Sequence, residues 1–152
     1  MHRTRPDGTE LIERELTRAI IGGFFECYNA LGYGFLESVY RRALSSELRE
    51  RGLTVTEEAP VEVNYKGLPV GVFKIDLLVE HRVIVEAKAT SSLGPADKRQ
   101  LINYLRATNL EVELLLHFGP DARFQRCINA QRLRPLNTRS RSAHPDLSAS
   151  SG

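Results

Sequence analysis

Residues 74–88 read Lys-Ile-Asp-Leu-Leu-Val-Glu-His-Arg-Val-Ile-Val-Glu-Ala-Lys, which is two apolar segments separated by a short polar break. The alternating pattern predicts two neighbouring β-strands. One face of each strand is expected to be apolar, with Ile75, Leu77 and Val79 in the first strand and Val83, Val85 and Ala87 in the second. Asp76 is then expected on the other face of the first strand, and Glu86 and Lys88 on the other face of the second.

Burying these three ionisable groups without partners would cost on the order of several kcal/mol each, so we expect them to have partners. Two interpretations follow. The three groups form either a buried ion cluster without chemistry or a metal site. Two neighbouring carboxylates repel each other, and a divalent cation relieves that repulsion. Oxygen ligands on rigid strands suit Mg²⁺ or Mn²⁺, which also accept phosphate oxygens as ligands. A lysine beside them can orient a water or neutralise charge on phosphorus, as phosphodiester hydrolysis requires.

The length of the turn between the two strands decides whether the cluster forms. A two-residue turn at His81-Arg82 would pair residue 77 with residue 86 and leave Asp76 on the wrong face. We therefore predict either a turn of odd length or a β-bulge near Asp76.

The rest of the sequence predicts a mixed α/β or α+β domain, with helices flanking one central mixed β-sheet. The predicted helices cover residues 10–31, 36–51 and 94–108, with Gly22-Gly23 as a weak spot or a close-packing point inside the first. The predicted strands cover residues 53–57, 61–65, 70–79, 83–88, 112–118 and 124–128.

The 152 residues suit one domain, which we place at residues 10–135. We expect a flexible segment at residues 1–9 and a disordered Ser/Arg-rich tail at residues 136–152. No apolar run is long enough to span a membrane. Cys27 and Cys127 lie 100 residues apart without a CxxC spacing, which favours two free thiols in a reducing cytoplasm.

The net charge of +2 is the sum of two opposite regions. Residues 1–121 carry 15 Lys and Arg against 18 Asp and Glu, whereas residues 122–152 carry six Arg against one Asp. Arg123 and Arg126 begin this basic region and are candidate contacts to a phosphate backbone. No helix-turn-helix or zinc-finger spacing is present, so recognition of a specific base sequence is not expected.

Polar residues on two predicted helices are further candidates for a site. Glu37 projects into the apolar arc of the second helix, where it serves either the helix dipole or a functional site. Gln100 and Tyr104 lie one turn apart on the third helix. They either hydrogen-bond a phosphate or a water, or form the polar border of an amphipathic helix.

The segment Gly34-Phe35-Leu36-Glu37-Ser38-Val39-Tyr40 resembles the signature of the GxxExxY family of small prokaryotic proteins. The segments at residues 76–79, 83–88 and 100–105 resemble the same family in the same order, so the similarity extends over about residues 10–130. That family is placed in the PD-(D/E)xK nuclease superfamily, which has a restriction-endonuclease-like core. The resemblance therefore implies a nuclease with a mixed sheet flanked by helices.

The resemblance also implies a role for each candidate residue. Asp76 and Glu86 would be metal ligands together with Glu37 and the backbone carbonyl of Ala87, and Lys88 would be the lysine of the motif. Gln100 matches a helix glutamine that some branches place near the scissile phosphate, and Tyr104 is a weaker match.

The function that we expect is Mg²⁺- or Mn²⁺-dependent hydrolysis of DNA, or less favourably RNA, with targeting by substrate structure, a protein partner or a second copy. The alternative is a catalytically silent protein that keeps the fold and binds nucleic acid or another protein. A carboxylate cluster without metal would repel phosphate, which counts against plain binding of nucleic acid through this face.

Overall fold

The computed structural model of the chain describes residues 13–129. Its elements are α1 (Arg14–Leu31), α2 (Glu37–Glu50), β1 (Val55–Tyr65), β2 (Leu68–Val79), β3 (Val83–Lys88), α3 (Pro95–Ala107), β4 (Val112–Phe118) and β5 (Ala122–Ile128). The strands form one sheet in the order β1-β2-β3-β4-β5. Strands β3 and β4 are parallel, and the other neighbours are antiparallel. This confirms the predicted mixed sheet flanked by helices. The segments predicted at residues 1–9 and 136–152 lie outside the described residues.

Helices cover both faces of the sheet. Helices α1 and α2 pack on one face, and α3, which connects the parallel strands β3 and β4, packs on the other. The larger apolar cluster joins α1 and α2 to one face, through side chains such as Phe24, Leu44, Val85 and Leu114. The smaller cluster joins Leu105 of α3 to Ile75, Ile84 and Ala59 on the other face. Every residue of β4 is buried, as expected for a strand covered on both sides.

Glycine allows α1 and α2 to approach closely. A Cβ atom at Gly23 would lie 2.9 Å from Cδ2 of Leu48, which is fully buried in α2. At Gly22 the nearest atom belongs to the Arg51 guanidinium, at 3.1 Å. Of the two interpretations of this glycine pair, the structure therefore supports close packing.

Strand β1 corrects the predicted number of strands. The segments predicted at residues 53–57 and 61–65 form one strand, in which Pro60 pairs with Lys74 of β2. Proline is tolerated here because β1 lies at the edge of the sheet, where one side of the strand needs no backbone donor. The sheet therefore has five strands rather than six.

The prediction that Ile75, Leu77 and Val79 share a face is correct only for the last two residues. Leu77 and Val79 pack in the larger cluster, whereas Ile75 packs in the smaller cluster beneath α3. The change coincides with a distortion between β1 and β2, where the regular pairing omits Glu58 and Asp76. Glu58 has a φ angle of 49°, in the left-handed region, so the strand turns locally at this point.

No helix within residues 13–129 is both long enough and apolar enough to cross a membrane.

Candidate metal centre

The turn between β2 and β3 has three residues, which confirms one of the two geometries that the site requires. Val79 pairs with Val83 and Leu77 pairs with Val85, so residues 80–82 form the turn. Continuing this register places Asp76 directly opposite Glu86. The odd turn length thus brings the two carboxylates together.

Asp76 and Glu86 bind each other's strand through reciprocal hydrogen bonds. The backbone N–H of Ala87 donates to Oδ2 of Asp76 at 2.9 Å, and the backbone N–H of Asp76 donates to Oε1 of Glu86 at 3.3 Å. The regular β2–β3 pairing ends just before, at Leu77 and Val85. Side-chain oxygens therefore link the two strands where the regular ladder ends, and the two carboxylates are held side by side.

Burial and mutual repulsion disfavour negative charge at this pair. Glu86 is 5% exposed, and burial together with the neighbouring Asp76 raises its pKa to about 8. The N–H of Asp76 and the charge of Lys88 oppose this increase only in part. Without a cation, the raised pKa of Glu86 favours a proton on this pair. Two neighbouring carboxylates that repel each other supply hard oxygen donors, which suit a divalent cation such as Mg²⁺ or Mn²⁺.

Glu37 approaches the pair from the other helical layer. It is the first residue of α2, and its carboxylate is close enough to Asp76 and Lys88 to interact electrostatically with both. Burial raises the pKa of Glu37, and Lys88 and the backbone N–H of Ala89 partly oppose that increase. Among the described residues, no group of three or more His, Cys, Asp or Glu side chains is placed to hold a metal ion, so the ligand role of Glu37 stays a prediction.

Tyr40 fixes the loop that places Glu37. It is fully buried, stacks on Phe118 with ring centroids 4.3 Å apart, and donates its hydroxyl hydrogen bond to the carbonyl of Gly32. The same hydroxyl accepts a hydrogen bond from the N–H of Phe35 at 3.2 Å. The tyrosine one turn after Glu37 therefore has a structural role, which is to anchor the start of α2.

Helix α3 brings Tyr104 close to the carboxylates and Gln100 behind it. The Tyr104 ring stacks on Phe73 at 4.0 Å, and burial followed by the charge of Glu86 raises its pKa. The Gln100 amide donates a hydrogen bond to the Tyr104 hydroxyl at 2.8 Å. The two residues thus act as a connected pair on the same face of the sheet as Glu86.

The two candidate arginines of β5 lie on opposite faces of the sheet. Arg123 pairs with His117, which pairs with Lys88, so Arg123 lies two strands from Lys88 on the same face. Arg126 pairs with Leu114, which belongs to the α1–α2 face. Of the two arginines, the register therefore places only Arg123 on the Lys88 face.

Glu113 is a residue of this region that the sequence analysis missed. It lies on β4 between Ile84 and Cys127, is fully buried, and neither of its carboxylate oxygens has a hydrogen-bond partner. Burial and the charge of Glu86 raise its pKa to about 9. The available signal was a single charge in the apolar run of residues 112–118.

His117 is a strand residue, as the sequence suggested. It is buried, and its Nε2 lies 2.6 Å from the carbonyl oxygen of Thr90, which follows β3. A Cβ atom at Gly119 would lie 2.5 Å from the imidazole, so this side chain occupies space that only glycine leaves open. The contact holds the segment after Lys88 against β4.

Comparison with known proteins identifies one family. The family model described as the PD-(D/E)XK nuclease superfamily matches residues 14–128. The solved structure of SSO0001 is similar, with a TM-score of 0.47 and 20% sequence identity over 80% of this chain. The chain spans 64% of the length of that protein. No curated protein is significantly similar to the sequence.

Proposed function

Because the chain belongs to the PD-(D/E)XK nuclease superfamily, we propose that it is a metal-dependent nuclease whose centre contains Asp76, Glu86 and Lys88. The observation that carries the proposal is the reciprocal hydrogen bonding of Asp76 and Glu86 across β2 and β3. These hydrogen bonds link the strands, but they also place two carboxylates side by side, and the neighbouring Asp76 contributes to the raised pKa of Glu86.

The residues present fit a divalent cation. Asp76 and Glu86 would hold Mg²⁺ or Mn²⁺ together with the backbone carbonyl of Ala87, and Glu37 would bind it directly or through a water. The ion, when bound, supplies a Lewis acid for the phosphate oxygens and lowers the pKa of a bound water.

The remaining side chains have roles in phosphodiester hydrolysis. Lys88 orients the attacking water and offsets the negative charge that develops on the phosphoryl oxygens. The water oxygen forms a bond to phosphorus, the bond from phosphorus to the leaving sugar oxygen breaks, and the proton that the water loses is balanced by a proton taken up by that sugar oxygen. Tyr104, supported by Gln100, donates a hydrogen bond to a phosphate oxygen, and Arg123 neutralises a neighbouring phosphate.

The GxxExxY family is the branch of the superfamily that we propose for this chain, on the basis of residues 34–40. DNA is the preferred substrate and RNA the second choice. The described residues contain no separate module for reading bases, so targeting depends on substrate structure, a partner protein or a second copy. The two free thiols, Cys27 and Cys127, favour action in the cytoplasm.

Cleavage assays test this function directly. The full-length protein is incubated with Mg²⁺, Mn²⁺ or EDTA and with linear, flapped, branched and single-stranded DNA and RNA, beside Lys88→Ala and Asp76→Asn. We expect cleavage that requires the metal and is lost in both variants. The exposed Lys66→Ala, on the distant β1–β2 turn, is the matched control and should cut normally.

Other outcomes would count against the proposal. Equal cleavage by the wild type and both variants would identify a contaminating nuclease. Metal-independent binding without cleavage, unchanged in Lys88→Ala, would support the silent binding protein instead.

A further inference from the structure

The loop before α2 exposes apolar side chains beside the candidate centre. Tyr33 is 49% exposed, Phe35 is 47% exposed and Leu36 is 76% exposed. They directly precede Glu37, and the Cα atom of Phe35 lies at most about 7 Å from that of Glu37, two residues further on. We call residues 33–36 the entry loop. Apolar side chains that cluster at a functional site commonly mark a binding surface.

The entry loop is held in one conformation rather than left free. Gly32 and Gly34 have φ angles of 70° and 117°, which residues with a side chain rarely adopt. The Tyr40 hydroxyl bonds both Gly32 and Phe35, as described above, and the Phe35 ring meets the Tyr40 ring edge-on at 6.1 Å. The buried tyrosine thus presents Phe35 and Leu36 to solvent in a fixed arrangement, which lowers the entropic cost of binding.

The chemistry of the ligand follows from what lies on either side of Glu37. On one side is the carboxylate pair with Lys88, which suits a phosphate and its cation. Immediately before Glu37 in the chain are the exposed aromatic ring of Phe35 and the exposed aliphatic side chain of Leu36. A phosphate joined to a flat apolar group is the chemistry of a nucleotide in a strand, and bases stack on exposed aromatic side chains.

We propose that the entry loop stacks an unpaired base, so that the substrate has a single-stranded segment or a frayed end at the cleaved phosphodiester. This proposal rests on the proposed function. Within a duplex the base faces are covered by neighbouring bases, so Phe35 and Leu36 can only reach the face of a base that has left the stack. A protein partner fits less well, because three side chains form only a small part of a stable protein interface.

Binding to oligonucleotides with single abasic sites tests this contact. The full-length protein carries Lys88→Ala so that no turnover occurs, and its affinity for short single strands is measured in Mg²⁺ by fluorescence anisotropy, with the abasic site moved along the strand. We expect one abasic position to weaken binding about fivefold or more. In Phe35→Ala/Leu36→Ala the same position should matter less than about twofold.

Matched variants separate stacking from general apolar contact and from misfolding. Phe35→Tyr should keep the abasic effect and Phe35→Leu should lose most of it, because only the first retains an aromatic face. Leu36→Ser removes an exposed apolar side chain at the N-cap of α2, where serine favours the helix, so a loss of affinity in this variant would not come from misfolding. Tyr65→Ala removes an exposed aromatic ring that lies about 25 Å from Asp76 along the β1–β2 ribbon. This variant should change neither the affinity nor the abasic effect.

Three results would overturn the proposal. One is the same abasic effect with and without the Phe35 and Leu36 side chains. Another is an equal loss of affinity for blunt duplex and single strand. The third is a molar mass in light scattering that differs between the wild type and Phe35→Ala/Leu36→Ala, while the abasic effect stays the same. That result would assign the loop to contact with a second copy. If the abasic effect holds but the wild type does not cleave, the nuclease proposal fails and the base contact stands.

Discussion

The backbone N–H of Ala87 donates a hydrogen bond to Oδ2 of Asp76 across 2.9 Å, so the proposed metal ligand also ties β3 to β2. The same carboxylate thus has a structural role beside the chemical role that we propose for it. Because these roles need different properties of the side chain, a charge and an acceptor oxygen, substitutions at this position can separate them.

Asp76→Asn and Asp76→Ala should therefore differ in stability but not in metal binding. The amide oxygen of Asn can still accept from Ala87, so we expect the free energy of unfolding to change little. Alanine leaves that N–H without its partner and should cost about 1–2 kcal/mol. Both should abolish Mn²⁺ binding in calorimetry, and urea unfolding gives the stabilities. Strong Mn²⁺ binding by Asp76→Asn would contradict the assignment.

Metal affinity should increase with pH. Glu86 has a pKa of about 8 in the metal-free protein and must lose its proton to bind a cation. Below pH 8, each unit of added pH should raise the affinity for Mn²⁺ by up to about tenfold, and the increase should level off above pH 8. Calorimetry in buffers of different ionisation enthalpy would also detect the released proton. An affinity that is constant from pH 6 to pH 8 would exclude Glu86 as the titrating ligand.

Glu113→Gln should stabilise the protein, and more so at higher pH. The pKa of Glu113 is about 9 in the folded protein against an ordinary value of 4.5, so folding takes up a proton between these values. Stability is therefore lost as the pH rises above about 4.5, by up to about 1.4 kcal/mol per unit. Glutamine has similar shape and no charge, and should add on the order of 3 kcal/mol at pH 7.

Urea unfolding at pH 4 and pH 7 measures this difference. At pH 4 the wild type and Glu113→Gln should agree closely, because the glutamate is protonated in both the folded and unfolded states. The exposed substitution Glu62→Gln on β1 is the control and should show no such pH dependence. Destabilisation of Glu113→Gln at both pH values would mean that the carboxyl has a partner that the amide cannot replace.

Tyr40→Phe should weaken the start of α2. It removes the hydroxyl that bonds Gly32 and Phe35 and leaves the buried ring stacked on Phe118. We expect a loss of about 1–2 kcal/mol in the free energy of unfolding and lower cleavage, because Glu37 begins the helix that this hydroxyl anchors. Tyr33→Phe removes a hydroxyl from the same loop at a half-exposed position and should leave stability within about 0.5 kcal/mol.

Much of the centre could be predicted because its signals are local. Charges at Asp76, Glu86 and Lys88 interrupt strands that are otherwise apolar, and the parity of β-strands turned this pattern into a prediction about turn length. The observed three-residue turn is one of the two solutions that the parity allowed. The ends of α1 and α2 were equally predictable, since glycines lie at or beside them at Gly32 and Gly52.

The remaining features depend on neighbours that are distant in sequence. Pro60 stops a central strand but not an edge strand, and the position of β1 in the sheet is a property of the whole topology. Ile75 changes face because of a backbone distortion at Glu58, seventeen positions earlier. Glu113 lies diagonally across from Glu86 only because α3 returns the chain so that β4 runs parallel to β3.

The proposed centre depends on the number of residues in the turn at residues 80–82. Glu80 and His81 adopt left-handed φ angles of 53° and 54°, and neither side chain belongs to the proposed centre. Removing or adding one residue in this turn would shift the register of β2 against β3. The side chains of one strand would then lie on the opposite face of the sheet relative to those of the other. In related chains, we therefore expect the length of this surface turn to be constant even where its residues differ. A single-codon deletion there should abolish the proposed activity, although every proposed reactive residue would remain in the sequence.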